Sequence, residues 1–352
     1  MSHLNINDFL TGSAEIEAPK SITKAPIAHP LPEIINNRYK IRRIAGIGGM
    51  GIVYEVSDLL LTSLNISSDR LAIKVLNAEA HQYNDAQCIL INEYTQTRKL
   101  HHPNILPIQK IELCNKTDNT FLLMPLIQGD LLSILLDSPM SHISNAERVN
   151  YAIQLINAVS HCHNSSVIHG DIKPGNILIS KEGHLFLFDF GISRSLNEKE
   201  NQFAIDFNKV HAWSGNFAAP EVINGQTSTI KSDLFSLSIL IYKLLFNIHP
   251  YQQEHLINRS TNKTLANIQQ ILLQGMTPKE QDRTLGFQQL KKELYRLQSR
   301  LILAYFFPGL KINHLCLIFN ISIIEKTTNT RNKLKNKWFI VGTLIALLCM
   351  NY

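Results

Sequence analysis

The spacing of apolar and polar positions changes character along the chain. Between Tyr39 and Leu126 the apolar residues come in short runs, which predict strands over 39–45, 52–56 and 71–76. Glycines separate the first two runs, so a hairpin with its turn at 46–51 is expected, and a polar loop through Asn65 to Asp69 leads to the third strand. Residues 85–100 contain neither Gly nor Pro and read as a helix, ended by His102-Pro103-Asn104. Strands are expected again over 105–113 and 121–126. After Gly129 the pattern becomes helical, notably over 145–163 and 231–246, with strand-like pieces at 176–179 and 184–188. A β-rich first third followed by a helical remainder predicts an α+β fold of two lobes joined near residues 125–129. No internal repeat or low-complexity tract is evident.

Composition narrows the class. Of the 352 residues 45% are apolar and 18% charged, which excludes a chain dominated by disorder and suits one large two-lobed domain with tails. The five cysteines, Cys88, Cys114, Cys162, Cys316 and Cys349, show no Cys-x-x-Cys spacing, so neither a disulfide framework nor a zinc module is indicated and a reducing compartment is expected. The formal net charge is +6, but most of it comes from Lys326, Arg331, Lys333, Lys335 and Lys337, and no acidic residue follows Glu325. The rest of the chain is close to neutral, which argues against nucleic-acid binding by the main domain. Residues 1–37 carry Asp8, Glu15, Glu17, Pro19, Pro26, Pro30 and Pro32 without a continuous apolar core, so they read as a flexible leader rather than a signal peptide.

Two constellations carry chemistry. Gly46-Ile47-Gly48-Gly49-Met50-Gly51, followed by Val53, falls in a hairpin turn, where glycines let backbone N–H groups approach phosphate oxygens. Ala72-Ile73-Lys74 lies on the next strand; a half-buried lysine there needs an anionic partner, which Glu93 on the following helix can supply. The second constellation is His169-Gly170-Asp171-Ile172-Lys173-Pro174-Gly175-Asn176 with Asp189-Phe190-Gly191. Two carboxylates and an amide oxygen suit Mg²⁺, which takes oxygen ligands and shares them with phosphates. In such a site Asp171 would accept the proton of an attacking hydroxyl, Lys173 would stabilise charge on the transferring phosphoryl, and Asn176 and Asp189 would hold the metal.

In this order the residues resemble the protein kinase superfamily, and more closely the bacterial Hanks-type Ser/Thr protein kinases. The resemblance runs from about Arg38 to about Arg300. It also takes in His102-Pro103-Asn104, Ala219-Pro220-Glu221, Asp233, and Arg283, the family's usual partner for that glutamate. It implies a two-lobed protein-kinase-like fold, with an N-lobe over 38–126 and a C-lobe over 130–300. It further implies ATP and Mg²⁺ as cofactors and transfer of the γ-phosphoryl to serine or threonine hydroxyls of proteins. Ala45, Gly46, Gly48, Gly49, Gly51, Val53, Ala72, Lys74, Met124, Pro125 and Ile127 are then expected to hold the nucleotide. Met124 is the gatekeeper, and the Pro125 carbonyl and Ile127 N–H meet the adenine edge. Asp171, Lys173, Lys74 and Glu93 are the expected catalytic set, Asn176 and Asp189 the metal ligands. Lys173 favours Ser/Thr over Tyr.

The departures from the family pattern are specific. Gly170 replaces the arginine that usually precedes the catalytic aspartate, so a phosphorylated activation loop would lack its common basic clamp. Residues 192–213 contain Ser193 and Ser195 but no threonine. Ala45 and Thr97 stand where larger apolar residues are usual. His-Gly-Asp is also how this loop reads in many aminoglycoside and choline-type kinases, whereas Lys173, Asp-Phe-Gly, Ala-Pro-Glu, Asp233, Arg283 and Ser214 favour a protein substrate. A nucleotide-binding pseudokinase scaffold is the other alternative; the presence of Lys74, Glu93, Asp171, Asn176 and Asp189 favours turnover. His161-Cys162-His163, at the end of a helix, reads as core and surface residues rather than as a metal site, and Cys88 as a small packed side chain.

Residues 301–337 run from apolar to basic, and 338–352 are uncharged. As a helix that last stretch would reach about 22 Å, short of a bilayer core of roughly 30 Å, a gap that snorkelling by Lys335 and Lys337 could close. Membrane contact through the C-terminus is expected, whether by spanning or lying on the membrane, in preference to a helix packed on the domain, with the basic flank keeping the kinase domain on the cytoplasmic side. The sequence carries no signal of an oligomeric state.

Overall fold

The computed structural model describes residues 31–49, 51–66, 70–77, 80, 86–117, 119–137, 143–197, 216–250 and 263–306. The chain divides into two units, Met1–Gln298 and Ser299–Tyr352. Residues 307–352, with the uncharged stretch and the basic run before it, lie outside the described residues, as do residues 1–30 of the expected leader. Among the described residues no helix is long and apolar enough to cross a membrane.

The N-lobe is an antiparallel sheet with one helix across it. Its elements are β1 (Ile34–Ile35), β2 (Tyr39–Ile47), β3 (Gly51–Asp58), α1 (Leu59–Ser63), β4 (Leu71–Leu76), α2 (Ala86–Thr97), β5 (Lys110–Leu113) and β6 (Thr120–Pro125). The six strands lie in the order β1-β2-β3-β4-β6-β5. Alternation along β3 sends Ile52, Tyr54 and Val56 to one face, where they pack with Ile73, Val75, Phe121 and Leu123. Ala72, Leu122 and Met124 point to the other face and are covered by Leu90 of α2. With both faces covered, β4 is apolar almost throughout, and its one residue short of full burial is Lys74, whose side chain is 14% exposed.

Three details differ from the sequence pattern. The sheet begins inside the stretch read as a leader: Ile35 is fully buried, and a turn with Asn36 and Asn37 at φ 51° and 53° folds β1 onto β2. The loop before β4 starts with α1, because the Asp58 carboxylate accepts from the N–H groups of Leu60 and Leu61 at 3.0 and 3.4 Å and so caps a helical turn. The strand expected over 105–113 forms only as β5. Pro107 has no N–H to give a ladder, and the Leu106 N–H bonds the Leu187 carbonyl at 3.0 Å instead, tying this segment to the C-lobe.

The C-lobe begins with β7 (Gly129–Leu131), α3 (Leu132–Asp137) and α4 (Asn145–Asn164). Ser144 and Glu147 form a reciprocal capping box that starts α4. Then come β8 (Val167–Ile168), β9 (Ile177–Ser180), β10 (Leu185–Leu187) and β11 (Arg194–Ser195), followed by α5 (Pro220–Ile223), α6 (Ile230–Phe246), α7 (Lys263–Gly275) and α8 (Phe287–Phe306). The strands form a three-stranded sheet in the order β10-β9-β7 and a separate pair β11-β8. Helix α6 is buried on nearly every side, so its serines bond backward along the helix: Ser236 to the Ser232 carbonyl and Ser238 to that of Leu234, at 3.2 and 2.7 Å.

One buried ion pair fixes the lower part of the lobe. Arg283, 1% exposed, grips Glu221 of α5 through two nitrogens at 2.7 and 3.0 Å. It also donates to the carbonyls of Thr277, Lys231 and Pro278 and stacks its guanidinium 4.7 Å from the centre of the Phe235 ring. Burial pushes the Glu221 carboxyl up, but the hydrogen bonds from Arg283 and Ser232 win and hold it below its usual value. We expect Arg283→Met to lose about 3–5 kcal/mol, the cost of leaving one partner of a buried pair uncompensated. The pH dependence follows from the sign of the shift. Glu221, depressed in the folded state, contributes stability in full above its unfolded value near 4.5, and that contribution is lost as pH falls through the lower folded value. Thermal unfolding against pH should therefore show the widest gap between wild type and variant above pH 5 and a narrowing gap below it.

Candidate active site

The glycine-rich turn joins β2 to β3. β2 continues to Ile47 and β3 starts at Gly51, so the turn is tighter than the pattern predicts, and it is closed by the Gly48 N–H on the Gly51 carbonyl at 2.8 Å. At Gly51 a Cβ would lie 2.6 Å from the Val75 carbonyl, so the neighbouring strand itself demands glycine. Gly46 and Gly49 have nothing within 4 Å of a Cβ position. Among the described residues no contact requires glycine there, and the backbone forms a bare rim open to its surroundings. Asn77 anchors the turn by donating to the Gly49 carbonyl at 2.9 Å, a contact that nothing in the motif announces. Ala45, exposed, occupies a bulge between the pairs Ile44–Tyr54 and Gly46–Val53.

Behind this rim the structure brings Val53, Ala72 and Met124 into one apolar cluster. Met124 is buried and faces Ala72 across the ladder. The connection to the C-lobe starts at Pro125; the Leu126 N–H closes on the Arg70 carbonyl at 2.8 Å, and the next amide, Ile127, has no backbone partner among the described residues.

Lys74 lies between two carboxylates. Its Nζ is 2.7 Å from Glu93 Oε2 and 2.8 Å from Asp189 Oδ1, so β4, α2 and the segment after β10 meet at one ammonium. Burial opposes the charge on Lys74, but Asp189 and Glu93 outweigh it and raise its pKa. One ammonium does not neutralise two acids. Burial pushes Glu93 up to about 7 against the pull of Lys74, whereas Asp189, though also penalised by burial, is held below its usual value by Lys74.

The loop between β8 and β9 is built on Asp233, which lies in the first turn of α6. Its carboxylate accepts from the backbone N–H groups of His169 and Gly170, each at 2.9 Å, and pairs with His163 Nε2 at 2.9 Å. Drawing two successive amides onto one carboxylate forces a turn, and Gly170 makes it at φ +80°, where a Cβ would lie 3.3 Å from both the Ile192 carbonyl and Ser228 Oγ. The glycine that stands for an arginine thus relieves a left-handed backbone position. His169 is fixed as a tautomer, since Nδ1 accepts from the Asp171 N–H at 3.2 Å and Nε2 donates to the Phe188 carbonyl at 3.1 Å. Its ring packs 4.6 Å from that of Phe190.

Asp171 receives two donors on one oxygen: Lys173 Nζ at 2.7 Å and Asn176 Nδ2 at 2.8 Å both meet Oδ2. Burial raises its pKa, with Lys173 opposing. The register Ile177–Leu187 between β9 and β10 sets Asn176 beside the Asp189 segment, and the Phe188 N–H bonds the Asn176 carbonyl at 3.1 Å. With its amide nitrogen committed to Asp171, Asn176 has its side-chain oxygen to offer. Together with the Asp189 carboxylate this makes an all-oxygen donor set, which fits Mg²⁺.

The remaining sequence candidates go elsewhere. His161 stacks on His102 at 5.1 Å between ring centres, Cys162 is fully buried with its thiol pKa raised by burial, and His163 belongs to Asp233. Thr97 is buried in α2, and its hydroxyl finds no partner among the described residues. Even so, α2 keeps Glu93 against Lys74. Ser193 and Ser195 are each 2% exposed. The Ser193 hydroxyl donates to the Phe190 carbonyl at 2.5 Å, and Ser195 Oγ accepts from the Asn197 N–H at 3.2 Å.

A glycine-rich hairpin above a lysine shared by two acids, with an Asp-containing loop held from below, is the arrangement of a phosphotransferase. The protein kinase domain family matches residues 39–304, and the chain belongs to that family. Among similar proteins, the serine/threonine-protein kinase PrkC of Bacillus subtilis is 31% identical over 227 residues, 64% of this chain and 33% of that one. The serine/threonine-protein kinase PknD of Protochlamydia amoebophila is 27% identical over 239 residues, 61% of this chain and 24% of that one. The chain thus spans a quarter to a third of the length of these relatives. The fold is that of the Mycobacterium tuberculosis PknI kinase domain, with a TM-score of 0.55 at 18% identity, covering 77% of this chain and all of that one.

Proposed function

We propose that the protein transfers the γ-phosphoryl group of ATP to serine or threonine hydroxyls of proteins. The observation that carries this reading is the pairing of Lys74 with both Glu93 and Asp189, at 2.7 and 2.8 Å. Such a cluster is poised to exchange a carboxylate for phosphate oxygens. Lys74 holds the α- and β-phosphates while Glu93 keeps its ammonium in place. The backbone of Gly46, Gly48, Gly49 and Gly51 covers the phosphates, and Ala45, Val53, Ala72 and Met124 enclose the adenine, whose edge meets the Pro125 carbonyl and the Ile127 N–H. Asn176 and Asp189 hold Mg²⁺, which supplies charge neutralisation of the phosphates when bound.

Asp171 positions the acceptor hydroxyl and takes its proton. Lys173 and Asn176 both sit on its Oδ2, which leaves Oδ1 for the hydroxyl. As the hydroxyl oxygen bonds to the γ-phosphorus, the bond from that phosphorus to the β–γ bridging oxygen breaks, and the proton passes to Asp171. Lys173 steadies the charge on the transferring group. The reading favours a protein over a small-molecule acceptor because Glu221, Arg283 and Asp233 form the C-lobe framework described above, and it favours turnover over a scaffold because all five polar site residues are present. We expect Asp189→Asn and Lys74→Met each to lower phosphorylation of a generic protein substrate by at least about a hundredfold while remaining folded by circular dichroism. Normal turnover by either variant would refute the assignment.

The reading extends to the C-terminus, where 338–352 and the five preceding basic residues attach the cytoplasmic kinase domain to the membrane. The apolar stretch supplies insertion, and each basic residue adds about 1 kcal/mol near an anionic leaflet. Deleting 326–352 should move the protein from the membrane to the soluble fraction without loss of catalysis, as cell fractionation and a kinase assay will read. Full-length protein found wholly in the soluble fraction at low salt would remove the membrane claim.

A further inference from the structure

Helix α2 is joined to the segment after Asp189 by a polar contact of its own, one residue before Glu93. Asn92 is 8% exposed, and its Nδ2 donates to the carbonyls of Gly191 at 3.0 Å and Ser193 at 2.7 Å. Its Oδ1 accepts from Gln96 Nε2 at 3.3 Å, and Gln96 in turn accepts from Lys99 Nζ at 3.0 Å, so every polar atom of this buried chain is satisfied. The fit is close: a Cβ on Gly191 would lie 2.7 Å from Ile89 Cγ2, one turn earlier on the helix. The Ser193 hydroxyl holds the same stretch in shape through the Phe190 carbonyl. Asn92 therefore bonds the two carbonyls that flank Ile192, while its neighbour Glu93 meets the lysine that also holds Asp189.

We propose that Asn92 is a positioning residue: a latch that fixes α2 against the Asp189–Ser193 segment, and so keeps Glu93 on Lys74 without a phosphate on the activation loop. This rests on the kinase reading above and gives it a mode of regulation. With Gly170 in place of an arginine and Ser193 and Ser195 both buried, the inward position of α2 has another source of free energy. Two carbonyls taken out of water need a donor, and among the described residues Asn92 of docked α2 supplies it to both. Undocking would leave them unsatisfied, so the latch couples helix position to the conformation of the metal-binding segment.

Two variants separate the latch from general packing. Asn92→Leu keeps the volume and removes the donor; Asn92→Asp keeps the shape and turns an oxygen toward both carbonyls. With the full chain, kcat/KM for ATP should fall about tenfold to a hundredfold in each, the loss of a hydrogen-bonded contact to two buried carbonyls. Hydrogen–deuterium exchange without nucleotide should rise about tenfold across α2 and across Gly191–Ser193, while α4 and α6 stay protected. In a Glu93→Gln background, Asn92→Leu should cost less than about twofold further, because the two residues act as one unit. Wild-type exchange in α2 for both variants, or an equal loss in the Glu93→Gln background, would overturn the latch. Absence of transfer by the wild-type enzyme would instead refute the kinase reading, and the exchange measurement would still test the latch.

Discussion

The site depends on one ammonium shared by two carboxylates. Lys74 on β4 draws Glu93 from α2 and Asp189 from the segment after β10, and each of the three belongs to a different element of the chain. A buried triad of this kind is poor support for stability, because desolvating three charges costs about as much as their attraction returns. Its value lies in what it arranges. Burial, with the nearby Asp189 carboxylate adding to it, leaves Glu93 hard to ionise against the pull of Lys74, and two carboxylates facing one ammonium are an arrangement suited to a cation that arrives with phosphates.

Holding the triad together requires rigid supports on both sides. Above, β4 is buried on both faces, so Lys74 cannot shift without moving the core. Below, Asp233 at the start of α6 fixes two backbone amides of the catalytic loop, and the Glu221–Arg283 pair ties α5 to the turn before α8. Gly170 is where these constraints converge. Its left-handed backbone is needed by the Asp233 grip, and a residue without a side chain takes that conformation at no steric cost. The loss of an arginine clamp and the ease of the turn are two consequences of one substitution.

Much of this was legible in the sequence because the chemistry sits in contiguous motifs. His169 to Asn176 and Asp189 to Gly191 are contiguous runs that the fold holds close together, and the strands around Lys74 follow from short apolar runs. The shared lysine was legible only in half, since pairing with Glu93 follows from strand and helix placement, whereas the approach of Asp189 depends on how two lobes close. Asn77 and Asn92 were not legible at all. Asparagines on a strand end and a helix look like solvated polar residues, and only tertiary packing turns their amides toward the carbonyls of Gly49, Gly191 and Ser193. The first turn of the sheet was hidden for a similar reason: Asn36-Asn37 is a hairpin signal, but the strand it closes is two residues long. The expected strand at 105–113 failed at Pro107, a breaker that the run of apolar neighbours concealed.

What unites these features is a site that, as proposed above, internal contacts assemble without a modification. The most direct measurement is the turnover of enzyme stripped of phosphate by phosphatase, verified by mass spectrometry, and assayed for initial rate on a protein substrate before it can autophosphorylate. A rate within about twofold of the untreated enzyme is expected, because no basic clamp at position 170 awaits a loop phosphate. An inactive dephosphorylated enzyme that regains activity in step with autophosphorylation would contradict it.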